Sequence, residues 1–147
     1  MTGSWPSSSI SSVDDNGTES GHCHRVLLVD DIEDTRDALG AILGHAGFEM
    51  ATAWSGEHAL RQLRDGLRPC VVLLDLRMPG LDGWDVLDQM RADADPAVAN
   101  APVIVMSGDG EQRRRAQSLG VRDFIMKPVE FEELIAAVRR YCDERPH

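Results

Sequence analysis

Five side chains carry the chemistry this sequence offers, and they lie far apart along the chain: Asp30, Asp31, Asp75, Ser107 and Lys127. Three carboxylates gathered at one place repel one another, which raises a pKa or recruits a cation. A cluster of oxygen ligands with that much negative charge suits Mg²⁺ or Mn²⁺ far better than zinc. Beside such an ion the Asp75 carboxylate is a competent nucleophile toward phosphorus. The ion and the Lys127 ammonium would neutralise charge on the transferring oxygens, and the Ser107 hydroxyl would donate to another. Phosphoryl transfer needs position and charge stabilisation more than a general base, so five such groups suffice if the chain brings them together. Singly, each has an ordinary explanation: an acidic pair caps a helix, a serine bonds within a loop, and Lys-Pro marks a turn.

The intervening sequence supplies the means of bringing them together. From Arg25 onward, short apolar runs alternate five times with stretches of helical period, the pattern of βαβ units around a parallel sheet. Strands are expected at Val26–Val29, Phe48–Ala53, Val71–Leu74, Val103–Met106 and Phe124–Met126, the central ones apolar enough to be buried on both faces. In the first helix Leu39, Ile42, Leu43 and Ala46 recur at three and four, and Gly47 stands where a left-handed cap would end it. Ser55 and Asp82 fit the N-caps of the second and third helices. A fourth, Asp109 to Leu119, has the weakest apolar face, and its Arg113-Arg114-Arg115 run reads as solvated surface. The fifth shows an apolar stripe of Phe131, Leu134, Ile135 and Val138, with Arg139 and Arg140 near its end, where the helix dipole favours cations.

With these boundaries Asp30 and Asp31 end the first strand, Asp75 the third, Ser107 the fourth and Lys127 the fifth. The separations from Asp30 to Asp75, Ser107 and Lys127 in turn are 45, 32 and 20 residues, which fit two, one and one strand-helix units. Open α/β sheets bind ligands at the carboxyl edge of their strands, so all five groups can share one site.

Composition narrows the function classes. The chain has 147 residues, 42% of them hydrophobic, enough for one domain with a real core. A net charge of −10 works against binding nucleic-acid phosphates or an anionic membrane surface. No stretch is apolar and long enough to span a bilayer or to serve as a secretory leader, so a soluble, cytoplasmic protein is expected. Cys23, Cys70 and Cys142 are odd in number and widely spaced, and are expected to be reduced thiols. Residues 1–22 are rich in serine and acidic residues and read as a disordered tail in which Trp5 and Ile10 are isolated. His22-Cys23-His24 lacks a fourth metal ligand. The folded domain is expected over 23–143, followed by a short tail at 144–147.

Four segments together resemble the receiver domain of two-component response regulators. They are Val26-Leu27-Leu28-Val29-Asp30-Asp31, Asp75-Leu76-Arg77-Met78-Pro79-Gly80-Leu81-Asp82-Gly83, Met106-Ser107-Gly108 and Met126-Lys127-Pro128. The resemblance runs from about Arg25 to Cys142 and implies a flavodoxin-like (βα)₅ fold with strand order 2-1-3-4-5. It implies that Asp75 takes a phosphoryl group from the phosphohistidine of a histidine kinase or phosphotransfer protein. Asp31, Asp75 and the Arg77 backbone carbonyl would ligate Mg²⁺ or Mn²⁺, with Asp30 helping through water. Ser107, Gly108 and Lys127 would hold the phosphoryl group, Phe124 would be the aromatic partner of the switch, and Pro79 and Gly83 would be structural. The Lys127-Pro128 bond is expected to be cis, a minority isomer among folded proteins.

The same resemblance implies a signalling phospho-acceptor rather than an enzyme with a separate substrate, read out by an unidentified downstream protein through the fourth helix, fifth strand and fifth helix. Either a monomer or a weak, phosphorylation-dependent dimer is compatible with it. Arg77 and Asp109, two residues beyond the acceptor and the switch serine, would face each other across the site mouth, where they either pair and tune the lifetime of the acyl phosphate or stand as two independently solvated charges. Three rivals have specific weaknesses. An aspartyl-phosphate phosphohydrolase wants a second Asp two residues after the nucleophile, where this chain has Arg77 or Ile32. A flavin carrier would set Asp30 and Asp31 against an anionic phosphate. A degenerate receiver serving only as a binding module would not need the complete polar set.

Overall fold

The computed structural model describes residues 25–78 and 80–143. The expected tails at 1–22 and 144–147, the His22-Cys23-His24 cluster and Pro79 lie outside the described residues. Five parallel strands form one sheet: β1 Arg25–Val29, β2 Glu49–Ala53, β3 Val71–Asp75, β4 Val103–Ser107 and β5 Asp123–Met126. Their order is β2-β1-β3-β4-β5, with β1 paired to both β2 and β3. This is the flavodoxin-like arrangement expected from the resemblance.

Successive side chains of a strand point to opposite faces, and here each face meets its own helices. Leu27, Val29, Val72, Leu74, Val103 and Val105 pack with α2 (Gly56–Arg64), α3 (Gly83–Arg91) and Ala116 of α5 (Arg113–Ser118). Val26, Leu28, Val71, Leu73, Ile104 and Met106 pack with α1 (Glu33–His45) and α6 (Phe131–Asp143). The central strands are therefore buried on both sides, which explains their continuous apolar sequence.

The helix boundaries follow local chemistry. Gly47 takes φ 107° after α1, the Ser55 hydroxyl accepts the His58 N–H, and Asp82 and Asp85 form a reciprocal capping box. Three expectations are corrected. A one-turn helix, α4 (Pro96–Ala99), intervenes because Asp95 caps it and Pro96 occupies its first turn, so the expected fourth and fifth helices are α5 and α6. The fourth expected helix opens as a 3₁₀ turn at Gly110–Gln112, with the Asp109 carboxylate accepting the Glu111 N–H. Phe131, placed in the apolar stripe of α6, is half-exposed at its first turn, and Leu134, Ala137, Val138 and Cys142 do the packing.

A fourth correction concerns the thiols. Cys70 and Cys142 form a disulfide, with Cα atoms 5.1 Å apart. Seventy-two residues separate them in sequence, but the lead-in to β3 and the last turn of α6 meet in the same buried layer. Sequence spacing carries no trace of that proximity.

Candidate functional site

The carboxyl ends of β1, β3, β4 and β5 converge as the sheet topology requires, and each delivers one or two polar groups. Asp30 and Asp75 are almost fully buried at the ends of β1 and β3, and Asp31 is partly buried beside them. One oxygen from each of the three lies within 4.8 Å of the others. From β5, the Lys127 ammonium reaches to 3.0 Å from Asp75 Oδ1. The Lys127-Pro128 peptide is cis. The Lys127 N–H also donates to the Ser107 carbonyl at 2.9 Å, so the serine and the lysine are held in register across β4 and β5.

The acceptor loop is held by its own backbone. The Arg77 N–H donates to Asp75 Oδ1 at 3.0 Å, and the Leu76 N–H to the Met106 carbonyl at 3.1 Å. Gly83 is required there: a Cβ would fall 2.5 Å from Leu76 Cα and 2.6 Å from the Asp75 carbonyl oxygen. Any side chain at that position would push α3 off the end of β3. Gly56 is equally constrained, by Val86 and the Leu81 carbonyl, and sequence reasoning gave no reason to single it out.

The electrostatics favour a cation. Asp30 Oδ1 accepts the Ile32 N–H at 2.9 Å, whereas Asp30 Oδ2 and Asp31 Oδ1 are buried without a hydrogen-bond partner among the described residues. Burial is the main reason that the Asp30 carboxyl titrates above the usual range. The negative charges of Asp75 and Asp31 add to it, and the Ile32 N–H and Lys127 oppose it. Two orphaned buried oxygens in a carboxylate trio fit a hard, oxygen-seeking divalent ion, and they do not suit zinc, for which no nitrogen or sulfur ligand joins the cluster among the described residues.

Ser107 is buried at the end of β4, its hydroxyl donating to Gln112 Oε1 at 2.7 Å and accepting the Asp109 N–H at 3.1 Å. Phe124 is also buried, under the Arg113 guanidinium, which sits 4.8 Å from the ring centroid. Arg115 lies 4.1 Å over the Trp84 ring. The basic run is thus only partly the solvated surface expected, because two of its three arginines cover aromatic rings. Gly108 is exposed and has open space where a Cβ would be.

Arg77 and Asp109 form no ion pair; Asp109 instead caps the 3₁₀ turn. The short loop after Ser107 turns the carboxylate back onto its own backbone, which removes the expected pairing.

Gln112 and Arg36, which donates to the Asp30 carbonyl at 2.9 Å, escaped the sequence reading, as did the contact of Arg113 with Phe124. Each acts through a contact that depends on how a loop folds, and no periodicity encodes that. Large exposed apolar residues lie at or just beyond the carboxyl ends of the strands: Ile32 follows Asp31, Trp54 follows β2, Met126 ends β5, and Phe131 opens α6. A cleft of about 400 Å³ runs from Asp30 and Lys127 past Pro128 and Val129 to Phe131.

A doubly wound 2-1-3-4-5 sheet with an acidic trio and a lysine at its carboxyl edge is the arrangement of a receiver-like fold, with three carboxylates placed where they could hold a cation. The model of the response regulator receiver domain matches residues 26–139, and the chain belongs to that family. It is 36% identical over 127 residues to the DNA-binding response regulator MtrA of Mycobacterium leprae, covering 83% of this chain and 54% of the relative. With the regulatory protein AtoC of Escherichia coli it shares 35% identity over 119 residues, covering 80% of this chain and 25% of AtoC. The chain spans about half the length of the MtrA relatives it matches. Among solved structures it resembles a response regulator receiver protein from Pseudomonas putida, with TM-score 0.75 and 32% identity, covering 82% of this chain and 99% of that one. The receiver domain of NtrX from Brucella abortus is similar, with TM-score 0.72 and 34% identity over 82% of this chain and 99% of that one.

Proposed function

We propose that this receiver domain accepts a phosphoryl group on Asp75 from a phosphohistidine and signals by rearranging around Ser107 and Phe124. The observation that carries the reading is the meeting of Lys127 with Asp75 at 3.0 Å beside two buried, partnerless oxygens of Asp30 and Asp31. Asp30, Asp31 and Asp75 would hold Mg²⁺ or Mn²⁺, joined by the Arg77 backbone carbonyl. When bound, the ion supplies neutralisation of charge on the phosphoryl oxygens.

The chain's own residues do the rest. The Asp75 carboxylate attacks phosphorus, the phosphorus-nitrogen bond of the donor breaks, and the imidazole leaves with the bonding pair, giving an acyl phosphate. Lys127, already at the carboxylate, stays within reach of an oxygen of the incoming group and offsets its charge. Ser107 and the Gly108 backbone provide donors on the β4 side. Water later hydrolyses the acyl phosphate, so the protein is a transient acceptor rather than an enzyme with a separate substrate.

Ile32, Trp54 and Phe131, exposed apolar residues beyond the carboxyl ends of β1, β2 and β5, suit docking of a histidine kinase or phosphotransfer protein, whose phosphohistidine would enter at the acidic group. Readout would pass through the α5-β5-α6 surface to a downstream protein, since Phe124 belongs to β5 and touches Arg113 of α5. The net charge of −10 argues against nucleic acid as the direct partner of this domain.

The test is incubation with acetyl phosphate and Mg²⁺ followed by intact-mass measurement. One phosphoryl group should add to the wild type and none to Asp75→Ala. Chelation of the metal should suppress the addition. Equal labelling of both proteins, or of neither, removes Asp75 as the acceptor.

A further inference from the structure

We propose that Gln112 is a latch on the switch hydroxyl, a positioning residue that holds Ser107 away from the phosphoryl site until Asp75 is modified. The inference rests on the reading of Asp75 as acceptor and concerns what sets the resting position of its switch. A serine hydroxyl has one proton to give. In this structure it is donated to Gln112 Oε1 at 2.7 Å, a short bond, and the Asp109 N–H at 3.1 Å occupies an acceptor position on the same oxygen. Donation to a phosphoryl oxygen on Asp75 requires that first bond to break. Backbone placement does not have to change, because the Ser107 carbonyl is already fixed by the Lys127 N–H. Only the side chain is free to choose, and Gln112 competes with the phosphoryl group for it.

The surroundings let the competition be won and then propagated. Ser107 and Gln112 share a cleft of about 200 Å³ with Leu76, Arg77 and Trp84, so a released Gln112 side chain has room beside the acceptor loop. Gln112 ends the 3₁₀ turn and directly precedes Arg113, whose guanidinium covers the Phe124 ring. One short segment therefore touches both moving parts of the switch, the hydroxyl through Gln112 and the ring through Arg113. Loss of the Ser107–Gln112 bond frees the turn that positions Arg113, which links the hydroxyl to the α5-β5 surface.

Beryllofluoride, a phosphoryl mimic, gives an equilibrium test by calorimetric titration in the presence of Mg²⁺. Gln112→Met keeps the length of the side chain and removes the acceptor. It should bind beryllofluoride about two- to tenfold more tightly than wild type, the range for one neutral hydrogen bond. Gln112→Glu keeps an acceptor at the same place and should bind no more tightly than wild type. In a Ser107→Ala background, Gln112→Met should change nothing, because there is no hydroxyl to hold. A merely structural glutamine would show the opposite pattern, with weaker binding and a lowered melting temperature in both backgrounds. Unchanged affinity in Gln112→Met, or the same gain without Ser107, overturns the latch. Should Gln112→Met melt early, Gln112→Ala makes the same comparison. Wild-type protein that binds beryllofluoride no better than Asp75→Ala overturns the acceptor reading and the latch together. Wild-type binding with indifferent Gln112 variants overturns the latch alone.

Discussion

The two edges of the sheet are built from the same five strands and treat their polar groups in opposite ways. At the amino edge, chain ends are tied. The Arg91 guanidinium, pushed to a lower pKa by burial and by Arg122, serves four carbonyls, those of Ala99, Ala101, Leu119 and Gly120, at 2.9–3.3 Å. Arg139 donates to the Ala46 carbonyl, the Tyr141 hydroxyl to the Arg122 carbonyl, and Cys70 is bonded to Cys142. At the carboxyl edge, two buried carboxylate oxygens have no partner among the described residues, and three acidic groups crowd together beside Lys127. Stability is concentrated at one end of the strands and chemistry at the other. The proposed switch at the carboxyl edge would then rearrange loops while the core between the edges stays packed.

The largest effect expected from breaking this contrast lies at the amino edge. The disulfide closes 72 residues of chain, and the chain-entropy treatment assigns such a crosslink about 4 kcal/mol. Urea unfolding of the oxidised protein and of the protein in reductant should differ by an amount of that order, while Asp75 phosphorylation in the folded protein continues. Coincident unfolding curves, or loss of phosphorylation before unfolding, would mean that the edges are not independent. Arg91→Ala comes next. Four carbonyls lose a charged donor and those that reach water are resolvated, so a loss of about 2 kcal/mol is expected, again with metal affinity preserved. Arg91→Lys should recover little of it, because an ammonium lacks the planar fork that spans several acceptors.

The sequence made the carboxyl edge far more legible than the amino edge, for a physical reason. Asp30, Asp31, Asp75, Ser107 and Lys127 interrupt or end apolar runs, and a parallel sheet places every strand end on the same side, so type and spacing were enough to gather them. Strand order was not contained in periodicity and came from the family resemblance. Arg91 looks like any arginine on a helix, and its four acceptors come from the end of α4 and from the segments before β4 and β5, whose paths no pattern dictates. The disulfide depends on where α6 ends against β3. Gln112 escaped notice because its role depends on a 3₁₀ turn at the start of what reads as one weak helix. Arg77 and Asp109 show the reverse failure: correct spacing suggested a contact that the local capping of Asp109 removes.

The smallest expected effect is also the one with the opposite sign. Asp30→Asn retains an oxygen to accept the Ile32 N–H, removes one of three crowded negative charges, and puts an amide donor within reach of the remaining carboxylates. In metal-free buffer the variant should be more stable than wild type by on the order of 1 kcal/mol, the scale of a single pKa unit of mutual repulsion. Saturating Mg²⁺ should reverse the ranking, because an ion that binds the native state alone stabilises it by RT ln(1 + [L]/Kd), and the variant has lost a charge from the cluster. Urea midpoints of both proteins with chelator and with Mg²⁺ measure the crossing directly. A variant that is less stable than wild type under both conditions would show that Asp30 is held at this edge for packing, and that the carboxyl edge is as well satisfied without an ion as the amino edge is.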